Sequence, residues 1–196
     1  MIKGIWCSLL FLLLFTPLIS MEQNESTKVG IKLDTNKNGV RSVVTEKFVN
    51  IDSYDRNVYP GLSASLACFI EKGVKTWCFY FGAQGFKEMY VKEGQKVIFK
   101  RSNGTFITLK TLYDIDQDYI MERKYDVYTN SIIISLNGQQ LTQLMNGGIT
   151  KIRIVGDTGV MYDYDISGNS FSLSLKDANK AINERLSNKN REYDGM

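Results

Sequence analysis

A chain of 196 residues that sets 24 lysines and arginines against 21 acids has a net charge of +3, and the two signs interleave along its whole length. That pattern argues against a nucleic-acid partner, which calls for a basic stripe or a strongly basic domain. Histidine is absent, so a Ser-His-Asp or Cys-His catalytic machine is excluded, as is any zinc site built on imidazole.

The chain opens with MIKGIWCSLLFLLLFTPLIS: one lysine, an apolar run from Ile5 to Phe15, then Pro17 and the small Ser20. This is the layout of a secretory signal peptide, and it predicts a periplasmic or secreted protein cleaved near Ser20. The run is shorter than the ~20 residues a membrane-spanning helix needs, and Pro17 interrupts it. Cys7 lacks the small residues expected before a lipid-modified cysteine. Residues 21–27, MEQNEST, read as a polar tail, 28–190 as one β-rich domain and 191–196 as a short C-terminal tail.

Beyond the leader, short runs rich in Val, Ile, Phe, Tyr and Thr alternate with Gly, Asn and Asp, the pattern of antiparallel strands and hairpins. Strands are predicted over 28–33, 41–49, 62–71, 74–81, 87–91, 96–101, 105–112, 119–128, 131–136, 149–155 and 160–166. The first turn, DTNKNG from Asp34 to Gly39, copies the opening of a calcium loop through Asp34, Asn36 and Asn38. Thr45 stands where the bidentate glutamate belongs and the flanks read as strands, so a polar hairpin turn is the expectation.

LACFIEKGVKTWCFYF, Leu66 to Phe81, places Cys68 and Cys78 on either side of a lysine-glycine turn. A three-residue loop, Lys72 to Val74, sets the two cysteines opposite each other and predicts a disulfide in an exported protein. A two-residue loop at Lys72 and Gly73 sets Cys68 against Trp77 instead. The same strand alternates Trp77, Phe79 and Phe81 with Thr76, Cys78 and Tyr80, as a central strand apolar on both faces does.

Further on, DIDQD offers Asp114, Asp116 and Asp118 without the glycine and distal glutamate of a calcium loop, and reads as a solvated loop. In SLNGQQLTQLMNGG, Leu141, Leu144 and Met145 fall at helical spacing, with Asn137 as cap and Gly147 as left-handed stop. SLKDANKAINERLSN carries the stripe Leu175, Ala178, Ile182 and Leu186, with Ser174 as N-cap, and predicts an amphipathic helix packed on a sheet. The fold class that follows is mainly β: an antiparallel sandwich or strongly curved sheet with one short and one C-terminal helix. A lipocalin-like barrel is the alternative.

No cofactor or metal is expected. A glycosidase needs only two facing carboxylates, and Glu71, Glu88, Asp126 and Asp163 are candidates without a surrounding motif. Tyr119, Tyr125, Tyr128, Tyr162 and Tyr164, helped by Tyr90, are the candidates for a sugar-stacking or partner-binding surface.

LTQLMNGGITKIRIV, Leu141 to Val155, followed by LKDANKAINERL, resembles a group of uncharacterised small exported proteins of Bacteroidota-type bacteria. There a helix, a glycine turn and a lysine/arginine-bearing strand precede a last helix. The resemblance covers the C-terminal half and implies a leader, a β-rich body and an envelope or secreted location, with no activity attached. The leading expectation is a non-enzymatic exported domain that binds a glycan or protein partner at the envelope. A carboxylate-pair glycoside hydrolase and a structural accessory subunit are the alternatives.

Overall fold

Tight turns of left-handed backbone set the first hairpins of the chain. Asn38 (φ 54°) and Gly39 (φ 79°) join β1 (Ile31–Lys37) to β2 (Val40–Thr45). Lys72 (φ 48°) and Gly73 (φ 82°) join β4 (Gly61–Glu71) to β5 (Val74–Gly85). Positive φ at both central residues is the type I′ geometry that matches strand twist. The computed structural model describes residues 29–52, 61–85, 88–114, 117–122 and 125–188. The segments expected to be a leader and two tails, Asp116 and the side chains of Asp118, Tyr119, Tyr125 and Asp126 lie outside the described part.

The chain is mainly β, with two antiparallel sheets, two helices and no closed barrel among the described residues. The larger sheet runs β1-β2-β4-β5-β9-β8, with β8 spanning Gln117–Glu122 and β9 Tyr125–Leu136; β3 (Val49–Asp52) pairs the first half of β4. The smaller sheet runs β11-β10-β6-β7, built from β6 (Lys96–Arg101), β7 (Phe106–Lys110), β10 (Ile149–Val155) and β11 (Met161–Asp165). A sandwich is thus realised and the lipocalin-like barrel is not.

The core lies between the inner faces of the two sheets and under the C-terminal helix. Phe79 and Phe81 of the large sheet, Phe99 of the small sheet and Phe171 at the start of α2 (Ser170–Ser187) are buried together, ring centroids 5.3–6.4 Å apart. Tilted aromatic pairs of this kind add to the ~1.5–3 kcal/mol that burying each such side chain contributes. The stripe of α2, Leu175, Ala178 and Ile182, is fully buried against β2 and β4, with Leu186 half-buried. α1 (Gly138–Asn146) starts on a capping box, Asn137 and Gln140 each accepting from the other's backbone N–H at 2.8 Å.

The structure redraws several expected elements. The strand expected over 41–49 breaks at Glu46 to Phe48, and its two parts pair successive stretches of β4. Glu88 to Tyr90 form no strand, although buried Met89 and Val91 alternate with exposed Glu88 and Tyr90 as a strand would have them. The break expected after Tyr128 is absent: β9 runs on through Asn130 because β5 pairs it along nine consecutive positions. Gly147 keeps a right-handed φ of −85°, and the left-handed stop falls on Gly148 (φ 56°). α2 begins at Ser170 rather than after Ser174, and its Asn169 cap makes no side-chain hydrogen bond.

Candidate functional site

The residues singled out by type in the sequence scatter on folding. Tyr162 and Tyr164 face the core, 6% and 0% exposed, with their rings in an edge-on contact. Tyr164 donates to the Gln84 carbonyl at 3.2 Å, and Tyr162 lies over Gly85, where a Cβ would have no room. Burial, with Tyr128 nearby, pushes the Tyr162 phenol up to about 12; burial raises Tyr164 further. Neither belongs to an exposed platform. Tyr128 is half-buried opposite Tyr119 in the register of β8 and β9. Tyr90 is exposed, its phenol donating to Glu88.

The cysteine pair is corrected in the same way. Cys68 and Cys78 are both free and buried. The two-residue loop pairs Cys68 with Trp77 and Cys78 with Ala67, so the thiols point to opposite faces of the sheet. No disulfide can span that separation without a register shift. Desolvation by burial raises the pKa of both thiols, which keeps them protonated and unreactive.

Of the acids proposed for calcium or catalysis, Asp34, Glu88, Asp114 and Asp163 already have hydrogen-bond partners. Asp34 is 1% exposed and accepts from Arg41 Nε and Nη2 at 3.0 and 2.8 Å and from Arg185 Nε at 2.6 Å. Its carboxylate binds two guanidiniums, which leaves the Asp34, Asn36 and Asn38 turn as a hairpin and no cation cage. Asp114 is exposed and accepts from the Glu93 backbone N–H at 2.8 Å. Glu71 and Glu88 are exposed at separate places in the fold. No cluster of three metal-ligating side chains occurs among the described residues.

What folding does bring together is the outer face of the small sheet. Period-two alternation buries Val97 and Phe99, Ile107 and Leu109, Ile152 and Ile154, and turns their neighbours outward. The pairing then aligns two rows across four strands: Asp165, Lys151, Lys100 and Phe106; and Asp163, Arg153, Ile98 and Thr108. Lys96 stands opposite Lys110 at the end of the same face. Ile98, Lys100, Phe106, Thr108, Lys151 and Arg153 line a shallow groove of about 550 Å³ in which Phe106 is 62% exposed.

The charges on this face are unequally matched. Arg153 makes a two-pronged bond to Asp163 at 2.6 and 2.7 Å, and Lys151 reaches Asp165 at 3.1 Å and Asp163 at 3.8 Å. The hydrogen bonds from Arg153 hold the Asp163 carboxyl below its ordinary range against the opposing effect of burial. Lys96, Lys100 and Lys110 form no ion pair among the described residues. Two like-charged pairs, Lys100 with Lys151 and Lys96 with Lys110, stand directly across neighbouring strands, an arrangement that destabilises a sheet left to itself.

Sequence reasoning by residue type missed this face. Its signal is present as K-x-I-x-K at Lys96 to Lys100, F-x-T-x-K at Phe106 to Lys110 and K-x-R at Lys151 to Arg153. The interleaving of charges along the chain, which spoke against a basic stripe, is undone by folding: β10 brings Lys151 beside Lys100. Comparison with family models, with characterised proteins and with solved structures finds no match to this chain.

Proposed function

We propose that this is an exported, non-enzymatic β-sandwich domain that binds an acidic glycan at the cell envelope through the outer face of its small sheet. The observation that carries the reading is the pair of like-charged cross-strand contacts beside an exposed aromatic ring. Lys100, which has no ion pair among the described residues and stands beside the like-charged Lys151, favours an anion in the groove. The Phe106 ring offers the flat apolar surface on which a sugar stacks, and the Thr108 hydroxyl adds a donor and an acceptor. Ligand binding offsets the repulsion that the strands otherwise carry.

Export rests on the leader-like first twenty residues, and the envelope location also on the resemblance to small exported bacterial proteins. A binding role is favoured over hydrolysis because Asp163, which pairs with Arg153 of the groove, has its proton affinity lowered, the opposite of what a general acid needs. Among the described residues no helix is long and apolar enough to cross a membrane.

Titration calorimetry of the mature protein against a uronate polymer, its neutral counterpart and single-stranded nucleic acid tests the reading. The uronate polymer should bind best, and Lys100→Glu and Phe106→Ala should each weaken it severalfold. Binding all polyanions equally, or leaving binding intact in both variants, would remove the specific glycan reading.

A further inference from the structure

A second site stands apart from the outer face, between the end of β6 and α1. The polar side of α1 presents Gln139, Thr142, Gln143 and Asn146 at i, i+3, i+4 and i+7, a continuous stripe along one face. No residue of α1 is ionisable. Arg101 completes the surroundings: it ends β6 and lines, with these four side chains and Gly138, an open groove of about 550 Å³. Its aliphatic stem runs over Gly147, where an added Cβ would sit 3.3 Å from Arg101 Cγ and Cδ. The glycine turn that links α1 to β10 therefore gives the arginine its course toward the helix.

Arg101 lines this groove with no counter-charge among the described residues. Its Nε is buried and, among the described residues, has no hydrogen-bond partner, and no ion pair reaches the side chain. The other arginines among the described residues are matched: Arg41 and Arg185 by Asp34, Arg153 by Asp163. An acid at any of the four helix positions would pair Arg101 in the same way; instead, every one is a neutral hydrogen-bonding group. A half-buried guanidinium with an unpaired N–H is costly unless an anion completes it.

We propose that Arg101 and the polar stripe of α1 form a binding site for a small carboxylate that also bears hydroxyl groups, the chemistry of a free sugar acid. The planar fork of the guanidinium matches a carboxylate through two parallel N–H···O bonds. Gln139, Gln143 and Asn146 supply amide donors and acceptors, and Thr142 a hydroxyl, for the ligand's hydroxyls. The site is independent of the outer face: Arg101 is the odd-numbered neighbour of Lys100 and turns to the other side of β6.

Side-chain NMR of the mature protein titrated with glucuronate, glucose and inorganic phosphate tests this. Glucuronate should shift the Arg101 Nε–H and Gln143 amide signals, with glucose silent and phosphate weaker. Arg101→Gln should lower glucuronate affinity about tenfold or more, as loss of charge-assisted bonds does. Arg101→Lys should recover part of it, and Gln143→Ala should weaken it with an unchanged melting curve. Lys100→Glu, which attacks the outer face, should leave these signals and the affinity as they are. Glucuronate shifts confined to Lys100 and Phe106, undiminished binding in Arg101→Gln, or binding of phosphate without glucuronate would each overturn the assignment.

Discussion

Asp34 and Asp163 each sit between two cations, yet the two clusters belong to different worlds within one fold. Asp34 is 1% exposed and joins β1 to β2 through Arg41 and to α2 through Arg185, a partner 151 residues away. Asp163 is 34% exposed on the outer sheet face and takes its partners from the adjacent strand β10. Removing one member of a buried cluster strands the remaining charges away from water. An exposed cluster is relieved by solvent and screened by salt, so it contributes little stability and leaves its cations available to a ligand. The first cluster closes the helix onto the sheet, while the second tunes the charge of a surface.

The sharpest way to break this contrast is Asp34→Asn. It removes the carboxylate that Arg41 and Arg185 share, and chemical denaturation should show a loss of about 3 kcal/mol. A loss no larger than that of Asp163→Asn would erase the distinction. Acid unfolding comes next. Burial raises the Asp34 carboxyl, and the hydrogen bonds and charges of Arg41 and Arg185 outweigh it, so its folded pKa lies below the ordinary 3.8. The contribution is therefore complete above 3.8 and is lost as pH falls through the lower folded value. Stability measured from pH 6 down to 2 should fall along that limb in the native protein and much less in Asp34→Asn.

Asp163→Asn is expected to act in the opposite manner. Its effect on the denaturation midpoint should be slight and should vanish in high salt, whereas the freed Arg153 should strengthen binding of the uronate polymer severalfold. Weakened binding would show that Asp163 orders the groove rather than competing for it. The smallest effect should come from reductant. Both cysteines are free thiols on opposite faces of the sheet, so reductant should leave the melting temperature unchanged, and alkylation of the unfolded protein without reductant should label both.

Much of the fold was legible because its signals are local. Alternation located most strands, the Asn-Gly turn located the first hairpin, and the stripe Leu175, Ala178 and Ile182 announced a helix with one buried side. The errors fell where a local signal competed with pairing. Asn130 reads as a break, yet β5 holds β9 straight through it; Lys72 tolerates a positive φ, so the hairpin closes in two residues and the cysteines part. The candidate site was less legible still. Tyrosines attract notice by type, and whether Tyr162 and Tyr164 face solvent or core depends on which face the second sheet covers.

Composition and periodicity determined by themselves that this is a β-rich chain without histidine chemistry, that most strands have one apolar side, and that the last helix must lie on a sheet. Those properties follow from residue types and spacings within a few positions. Only the tertiary structure decided which charges meet. Arg185 reaches Asp34 across 151 positions, Lys151 comes to stand beside Lys100, and Arg101 turns toward a helix of neutral amides. Strand order, register and helix docking set those encounters. They are global outcomes of burying the common core, which no short window of sequence contains.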